Sequence, residues 1–437
     1  MMRDPKIETM SRPELEKLQL KRLKTKVKEV YDKVPFYRRV FKEKGVTPED
    51  IKTLADITKL PFTSKLDFRD NYPYGLMAVP LEQVVRIHSS SGTTGKPIIA
   101  PYTQGDVDTW AELIARTLAT AGARKDDVMQ NAYGYGLFTG GLGFHYGGER
   151  LGAAVIPAGT GNSKRQLLMI KDLGTTVLVC TPSYAIILAE TAKETGFDFR
   201  ETKLRLGVCG AEPWSEQMRN EIESKLGITA INIYGLTEVM GPGVSVECPQ
   251  KCGMHIWEDH FLVEVINPQT GEPLPYGQTG EMVITTLTKE AQPVIRFRTR
   301  DLVSLDADTC ACGRTMVRMS RVMGRSDDML VIKGVNVFPS QIESVLLDVE
   351  GVEPQYLIVV DRQHGFKADD LEIWVEVSEN FFSDEVVKME ALEKKLRAEL
   401  ESVLSISPRI KLVEPRTIAR SEGKAKRVID RSELNKK

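Results

Sequence analysis

The chain has 437 residues, 41% of them hydrophobic and 27% charged, with a formal net charge of −2. That is enough for two or three domains around a large core, and so even a charge balance speaks against nucleic acid or a membrane surface as partner. No apolar run approaches membrane-spanning length and the charged N-terminus lacks a signal-type hydrophobic stretch, so the expected compartment is the cytoplasm.

Residues 11–31 predict an amphipathic helix. Ser11 and Glu14 have capping-box spacing, and Leu15, Leu18, Leu23, Val27 and Val30 recur at helical intervals. The interleaved lysines and arginines read as a solvated face, and Pro35 as the end of the segment. From about 84 to 240, strand-like runs alternate with helical stretches. Val177–Cys180, Leu204–Cys209 and Ala230–Tyr234 are largely apolar and each runs into a turn, the pattern of strands in a mostly parallel, doubly wound sheet with helices on both faces. Cys180 and Cys209 end two of these runs and read as core residues; six cysteines in so long a chain are not a disulfide framework.

Loops at the carboxyl ends of such strands carry function. Three qualify: Ser89–Pro97 after Val84–His88, Gly210–Pro213, and Gly235–Glu238. Ser89-Ser-Ser-Gly-Thr-Thr-Gly-Lys-Pro97 can bring backbone N–H groups close to phosphate oxygens, with hydroxyls and Lys96 as further donors. A plain Ser/Gly linker is the alternative. The spacing from Gly92 to Lys96 is too short for the P-loop signature, and Pro97 follows the lysine.

Residues 261–305 change to alternating β patterns with turns, an antiparallel β region. After Gly324-Arg325-Ser326-Asp327-Asp328 the order becomes strand, helix, strand, strand, helix, strand, with helices near 340–350 and 384–404 and strands at 355–361, 371–377 and 409–413. The expected fold is therefore α/β: a large N-terminal domain, 1–326, with a doubly wound mostly parallel sheet plus an antiparallel β region, and a small α+β C-terminal domain, 327–437.

Four further segments carry chemistry. Tyr234-Gly-Leu-Thr-Glu238 sets a carboxylate at a strand end, where it could ligate Mg²⁺ beside phosphates. Asp301 closes a basic strand and could accept from two ribose hydroxyls, or serve as a salt-bridge partner. Gly324–Asp327 sits at the domain joint, and Ser421–Arg427 is a basic, glycine-containing loop. Separately, Cys252, His255, Cys310 and Cys312 have the grouping of a tetrahedral structural Zn²⁺ site, with Cys248 as the spare or substitute ligand; reduced thiols without metal are the alternative.

In this order, the segments resemble those of the adenylate-forming acyl-CoA synthetases. The resemblance implies ATP, Mg²⁺ and coenzyme A as cofactors and co-substrates. Ser90, Ser91, Gly92, Thr93, Thr94 and Lys96 would hold the phosphates, and Glu238 the magnesium ion. Thr237 would bind the α-phosphate, Gly210, Ala211, Glu212 and Tyr234 the adenine, and Asp301 and Arg325 the ribose. Lys424 would be the catalytic lysine, carried by a mobile small domain that turns about Asp327 between half-reactions. Arg300 stands where the family pattern has glycine.

Tyr133–Gly143, Gly210–Trp214, Glu238–Gly243, Ile256–His260 and Gly334–Ser340 narrow the resemblance to the phenylacetate–CoA ligases. Tyr133 and Phe138, with Tyr135, would then line the aryl pocket; ordinary core packing is the alternative for them, and glycines 134, 136, 140, 141 and 143 favour function. The implied partners are an aryl acid, ATP and CoA, with room for a homodimer. Rival expectations are a CoA ligase or adenylase for another aryl or arylalkyl carboxylic acid and an inactive nucleotide-binding sensor. Lys424, Glu238 and Asp301 together speak against the sensor.

Overall fold

The computed structural model describes residues 1–437 except 1, 91–96, 327–329, 333–334, 338, 365–366, 379–385, 405, 421–426 and 432–437. The chain forms two compact units, the first of Met1–Cys180, Asp198–Ala211 and Ile228–Arg321, the second of Thr181–Phe197, Glu212–Gly227 and Val322–Lys437.

The first unit opens with the helices Arg12–Lys33 and Pro35–Lys44. Leu15, Leu23, Val27 and Val30 are fully buried, whereas Leu18 is half-buried and Gln19 takes the interior place, donating its amide to the Glu258 carbonyl at 3.0 Å. Pro35 opens the second helix instead of merely ending the first, because its fixed φ and missing N–H suit the first helical position. The Ser11 hydroxyl meets Glu14 Oε2 at 2.5 Å and makes no bond to the helix backbone.

Strand β1 (Arg86–Ser89) pairs antiparallel with β2 (Ile99–Tyr102). The connection between them is thus a hairpin loop, not the strand-to-helix turn of the main sheet that the sequence suggested; a connection this short cannot make a parallel crossover. The main sheet begins with β3 (Val128–Asn131), β4 (Ala154–Ile156), β5 (Val177–Cys180), β6 (Leu206–Cys209) and β7 (Thr229–Leu236), parallel in the order β4-β3-β5-β6-β7. Every residue of β5 and β6 is buried, which is why these strands read as apolar runs.

From β7 the sheet continues antiparallel through β8 (Gly241–Glu247) and β9 (Met254–Ile256). Strands β10 (Phe261–Ile266), β11 (Gly280–Thr286) and β12 (Phe297–Val303) build a separate antiparallel sheet, and β13 (Leu305–Asp306) and β14 (Arg318–Met319) complete the far edge of the main one. The helices Gln104–Ala121 and Thr139–Leu151 lie against each other at glycine contacts. A Cβ on Gly143 would stand 2.5 Å from the Trp110 ring, and one on Gly147 2.0 Å from Ile114.

In the second unit, Val352–His364 and Lys367–Val377 form a long antiparallel pair. Leu330–Ile332 and Arg409–Val413 add to Lys367–Val377, and Val428–Asp430 adds to Val352–His364, all parallel. The helices Pro339–Leu347 and Val386–Leu404 pack on this sheet around Ile342, Leu346, Ile358, Ile373, Leu396 and Leu400. Among the described residues, no helix is long and apolar enough to cross a membrane.

Candidate active site

The carboxyl ends of β3, β5 and β6 are tied together by one phenol. Tyr133, two residues past β3, donates its hydroxyl to the Cys180 carbonyl at 2.6 Å and accepts the Gly210 N–H at 3.1 Å. Its ring stacks on Phe144 at 5.3 Å and it is 4% exposed. Gly210 begins the loop after β6, and Ala211 follows with φ +73°, a left-handed conformation that places a sharp turn at the strand end. Glu212 lies in the second unit, where its carboxylate accepts the Ser183 N–H at 2.7 Å.

At the end of β7, the Tyr234 hydroxyl donates to Asp301 Oδ2 at 2.5 Å, both residues being buried. Asp301 reaches this position through a bulge. Glu281 of β11 faces Leu302 and Val283 faces Arg298, so Thr299-Arg300-Asp301 stands opposite the single residue Met282. The bulge re-aims the side chain, and the Thr299 hydroxyl, donating to the Met282 carbonyl at 2.7 Å, pins it. Arg300 has φ +70°, which explains why the family pattern has glycine there: the bulge needs a left-handed residue, and Arg300 adopts the strained form with Glu281 Oε2 3.4 Å from its guanidinium.

Beyond β7, Thr237 Oγ1 lies 3.4 Å from Thr139 Oγ1, and the Glu238 carboxylate, 6% exposed, lies 3.6 Å from the Lys65 ammonium. A buried carboxylate whose cation among the described residues stands 3.6 Å away keeps lone pairs for an incoming ion, so Glu238 fits a magnesium ligand. Lys65 was missed by sequence reasoning; nothing in its local pattern sets it apart.

Ser90 accepts the Ile98 N–H on Oγ at 3.0 Å, closing the base of the β1–β2 loop. The Leu137 carbonyl accepts both the Ser89 N–H at 2.9 Å and the His88 Nδ1–H at 3.0 Å, joining this loop to the aromatic segment. Burial lowers the His88 pKa, which keeps the ring neutral with one N–H to give. Tyr135 accepts the Asn131 amide at 2.8 Å, and burial pushes its hydroxyl up to about 12. Phe138 is 40% exposed at the start of helix Thr139–Leu151.

The glycines of this segment divide. A Cβ on Gly141 would meet the Gly134 carbonyl oxygen at 2.3 Å and one on Gly143 the Trp110 ring at 2.5 Å, so packing accounts for these two; at Gly140 the nearest atom, of the Phe138 ring, is 3.1 Å away, and Gly136 faces open space. Arg325 lies in the short strand Gly324–Arg325 of the second unit. Ser91, Gly92, Thr93, Thr94, Lys96, Asp327 and Lys424 lie outside the described residues.

The thiols form a second cluster. Cys248, His255, Cys310 and Cys312 have ligand atoms all within 4.8 Å of one another. Cys252 Sγ is 3.5 Å from Cys310 Sγ, but Cys252 is exposed and accepts Arg318 Nη1 at 2.8 Å.

A doubly wound sheet with a buried carboxylate just past one strand end, a tyrosine–aspartate pair joining that strand to the neighbouring antiparallel sheet, and a separate α+β unit is the arrangement of an adenylate-forming enzyme. The family model for AMP-binding enzymes matches residues 8–287, and that for the AMP-binding enzyme C-terminal domain matches residues 334–432. The phenylacetate–coenzyme A ligase of Escherichia coli strain K12 is 51% identical over 429 residues, covering 98% of this chain and 97% of that protein. The phenylacetate–coenzyme A ligase of Thermus thermophilus is 49% identical over 444 residues, covering 98% and 99%. A crystal structure of 2-hydroxyisobutyryl-CoA ligase in the postadenylation state with 2-HIB-AMP superposes with TM-score 0.93 at 31% identity, covering 98% of this chain and 92% of that one. The chain belongs to the AMP-binding enzymes and, within them, to the phenylacetate–coenzyme A ligase family.

Proposed function

We propose that the chain activates phenylacetate with ATP to phenylacetyl-AMP and pyrophosphate, and then transfers the acyl group to the thiol of CoA with release of AMP. The identity of about half its residues with phenylacetate–CoA ligases along nearly the whole chain supports this reading. In the first step an oxygen of the carboxylate attacks the α-phosphorus and the bond to pyrophosphate breaks; in the second the thiolate sulfur bonds to the acyl carbon and AMP leaves. Carboxylate and triphosphate are both anionic, so the protein's main tasks are neutralisation and positioning.

Asp301 would accept from ribose hydroxyls while Tyr234 holds its second oxygen, and Arg325 would add a donor on the same sugar. Gly210, Ala211, Glu212 and Tyr234 would frame the adenine. Thr237 would donate to an α-phosphate oxygen, and Ser90, Ser91, Gly92, Thr93, Thr94 and Lys96 would cradle the β- and γ-phosphates. Glu238 would hold the magnesium ion, which supplies charge neutralisation at the phosphates when bound. Lys424 would set an ammonium between carboxylate and α-phosphate, a task suited to a point charge on a long stem. Asp327 would be the hinge between domains 1–326 and 327–437.

Phe138 and Tyr135 are read as walls for the aryl group, and Tyr133 as the wall whose hydroxyl also fixes the adenine loop. Every residue in this scheme comes from one chain, so it holds equally for a monomer and a homodimer. Free thiols at all six cysteines suit the reducing cytoplasm. The thiol cluster is read as a structural zinc site, developed below.

The test is product analysis with a panel of carboxylic acids. Phenylacetate should give phenylacetyl-CoA with the highest kcat/KM; a markedly better benzoate, hydroxycinnamate or aliphatic acid would overturn the assignment of substrate.

A further inference from the structure

We infer that Cys248, His255, Cys310 and Cys312 form a closed zinc site, and that Cys252 is not one of its ligands. This deepens the zinc reading above and is independent of the ligase chemistry.

Zinc bound at about 2.3 Å from sulfur and 2.0 Å from nitrogen in a tetrahedron spaces its ligand atoms about 3.8 Å apart for two sulfurs and 3.5 Å for sulfur and nitrogen. Cys248 Sγ and Cys310 Sγ are 3.8 Å apart, and Cys312 Sγ and His255 Nε2 are 3.4 Å apart. Three thiols that merely packed together would have no reason to reproduce both edges of that polyhedron. Cys310 and Cys312 are brought to one side by the turn ending at Gly313, whose φ of +87° and N–H bond to the Cys310 carbonyl at 2.8 Å fold the two sulfurs inward. Cys248 just follows β8, and His255 lies in β9, where it pairs with Arg318 of β14.

The surroundings suit three thiolates on a dication, a shell of net charge minus one. Arg314 Nη1 points at Cys312 Sγ from 3.4 Å, while its Nε donates to Glu8 Oε2 at 2.7 Å and its Nη2 to Thr120 Oγ1 at 2.9 Å. One buried guanidinium thus couples the sulfur shell to the N-terminal segment, whose Glu8 carbonyl also accepts the Thr315 N–H at 3.1 Å. All four positions would be filled by protein, which marks a structural and not a catalytic metal. Its function is to hold the β8–β9 connection, the turn at 310–313 and residues 3–10 as one piece.

The test uses the full chain expressed with zinc supplementation and purified without chelator. Elemental analysis should find one zinc per chain. Cys252→Ser should keep it, and Cys248→Ser should lose it. Cobalt(II) offered to metal-stripped protein should give the intense visible bands of a tetrahedral thiolate site, and stripping should lower Tm and expose residues 3–10 to protease. Folded wild-type protein without zinc and without tetrahedral cobalt uptake overturns the site. Retention of zinc by Cys248→Ser with its loss from Cys252→Ser overturns the ligand assignment, whatever the stability of the other variants. Phenylacetate-dependent pyrophosphate release is measured on the same samples: active protein without metal refutes the zinc site alone, and inactive protein with zinc refutes the ligase reading alone.

Discussion

The two halves of the main sheet use their strand ends in opposite ways. In the parallel half, β3, β5, β6 and β7 all finish on one side; β3, β5 and β6 run out into loops there, and β7 turns back into β8 just beyond Thr237 and Glu238. Gly210, Tyr234, Thr237 and Glu238 stand at that side. In the antiparallel half, β8, β9 and β14 turn back on one another, and the turns are locked by side chains: Arg314 on Glu8, Arg12 on Glu258 at 2.7 Å, and the thiol cluster. The Glu258 carboxylate also accepts the Val317 N–H at 2.7 Å. Parallel topology leaves polar groups free for a ligand, whereas antiparallel topology uses them up in the scaffold. One half should therefore respond to substitution in catalysis and the other in stability.

The largest effect should come from the lysine that the proposed mechanism assigns to the C-terminal domain. Lys424→Ala is expected to slow adenylation about 10³-fold, the scale of losing a transition-state charge partner. It should leave thioester formation from supplied phenylacetyl-AMP nearly intact; equal loss of both half-reactions would remove Lys424 from its role. At the scaffold end, Arg314→Met removes the guanidinium from the buried Glu8 carboxylate, leaving it the Arg3 and Asp4 N–H groups, and should cost about 3–5 kcal/mol of stability. Denaturant melts would show this, with kcat unchanged at low temperature. A catalytic defect without destabilisation would break the division between the halves.

Asp301→Asn should lower kcat/KM for ATP by about 10- to 100-fold, as expected for charged hydrogen bonds worth about 1.5–3 kcal/mol, with little change in Tm. Tyr133→Phe tests a residue that belongs to both categories. Loss of its bonds to Cys180 and Gly210 should cost about 1–2 kcal/mol of stability and raise KM for ATP more than KM for phenylacetate. The reverse order of KM effects would make it chiefly an aryl wall. The smallest change is at the bulge, where Arg300→Gly relieves a left-handed residue and should alter stability by less than about 1 kcal/mol. Arg300→Val should be clearly worse, and equal melts for the two variants would contradict the strain.

Much of this was legible in the sequence because buried parallel strands are written as apolar runs and the loops after them as Gly, Thr and charged residues. Tyr234 and Asp301 were each singled out from their own segments, and the structure brings them within 2.5 Å. What sequence could not supply was pairing at a distance. The run before Ser89 looks like any other strand, and only its antiparallel partner β2 shows that the following loop is a hairpin. Pro35 was read as a terminator because proline both ends and begins helices, and only the next turn of chain decides. The Thr299–Asp301 bulge left one trace, an arginine in place of glycine, whose meaning depends on a φ angle. The carbonyls met by the Tyr133 hydroxyl belong to β5 and to the loop after β6, so a phenol that ties three strand ends could not be told from a pocket wall. Among the cysteines, spacing favoured Cys252, whereas the fold turns Cys248 inward and leaves Cys252 exposed.

The central claim is tested most directly by ATP–pyrophosphate exchange with CoA left out. Exchange that requires phenylacetate, followed by stoichiometric phenylacetyl-CoA when CoA is added to the same sample, is the result this account predicts. Folded, ATP-binding protein that shows no exchange with phenylacetate, or that forms phenylacetyl-CoA with ADP instead of AMP as product, would contradict it.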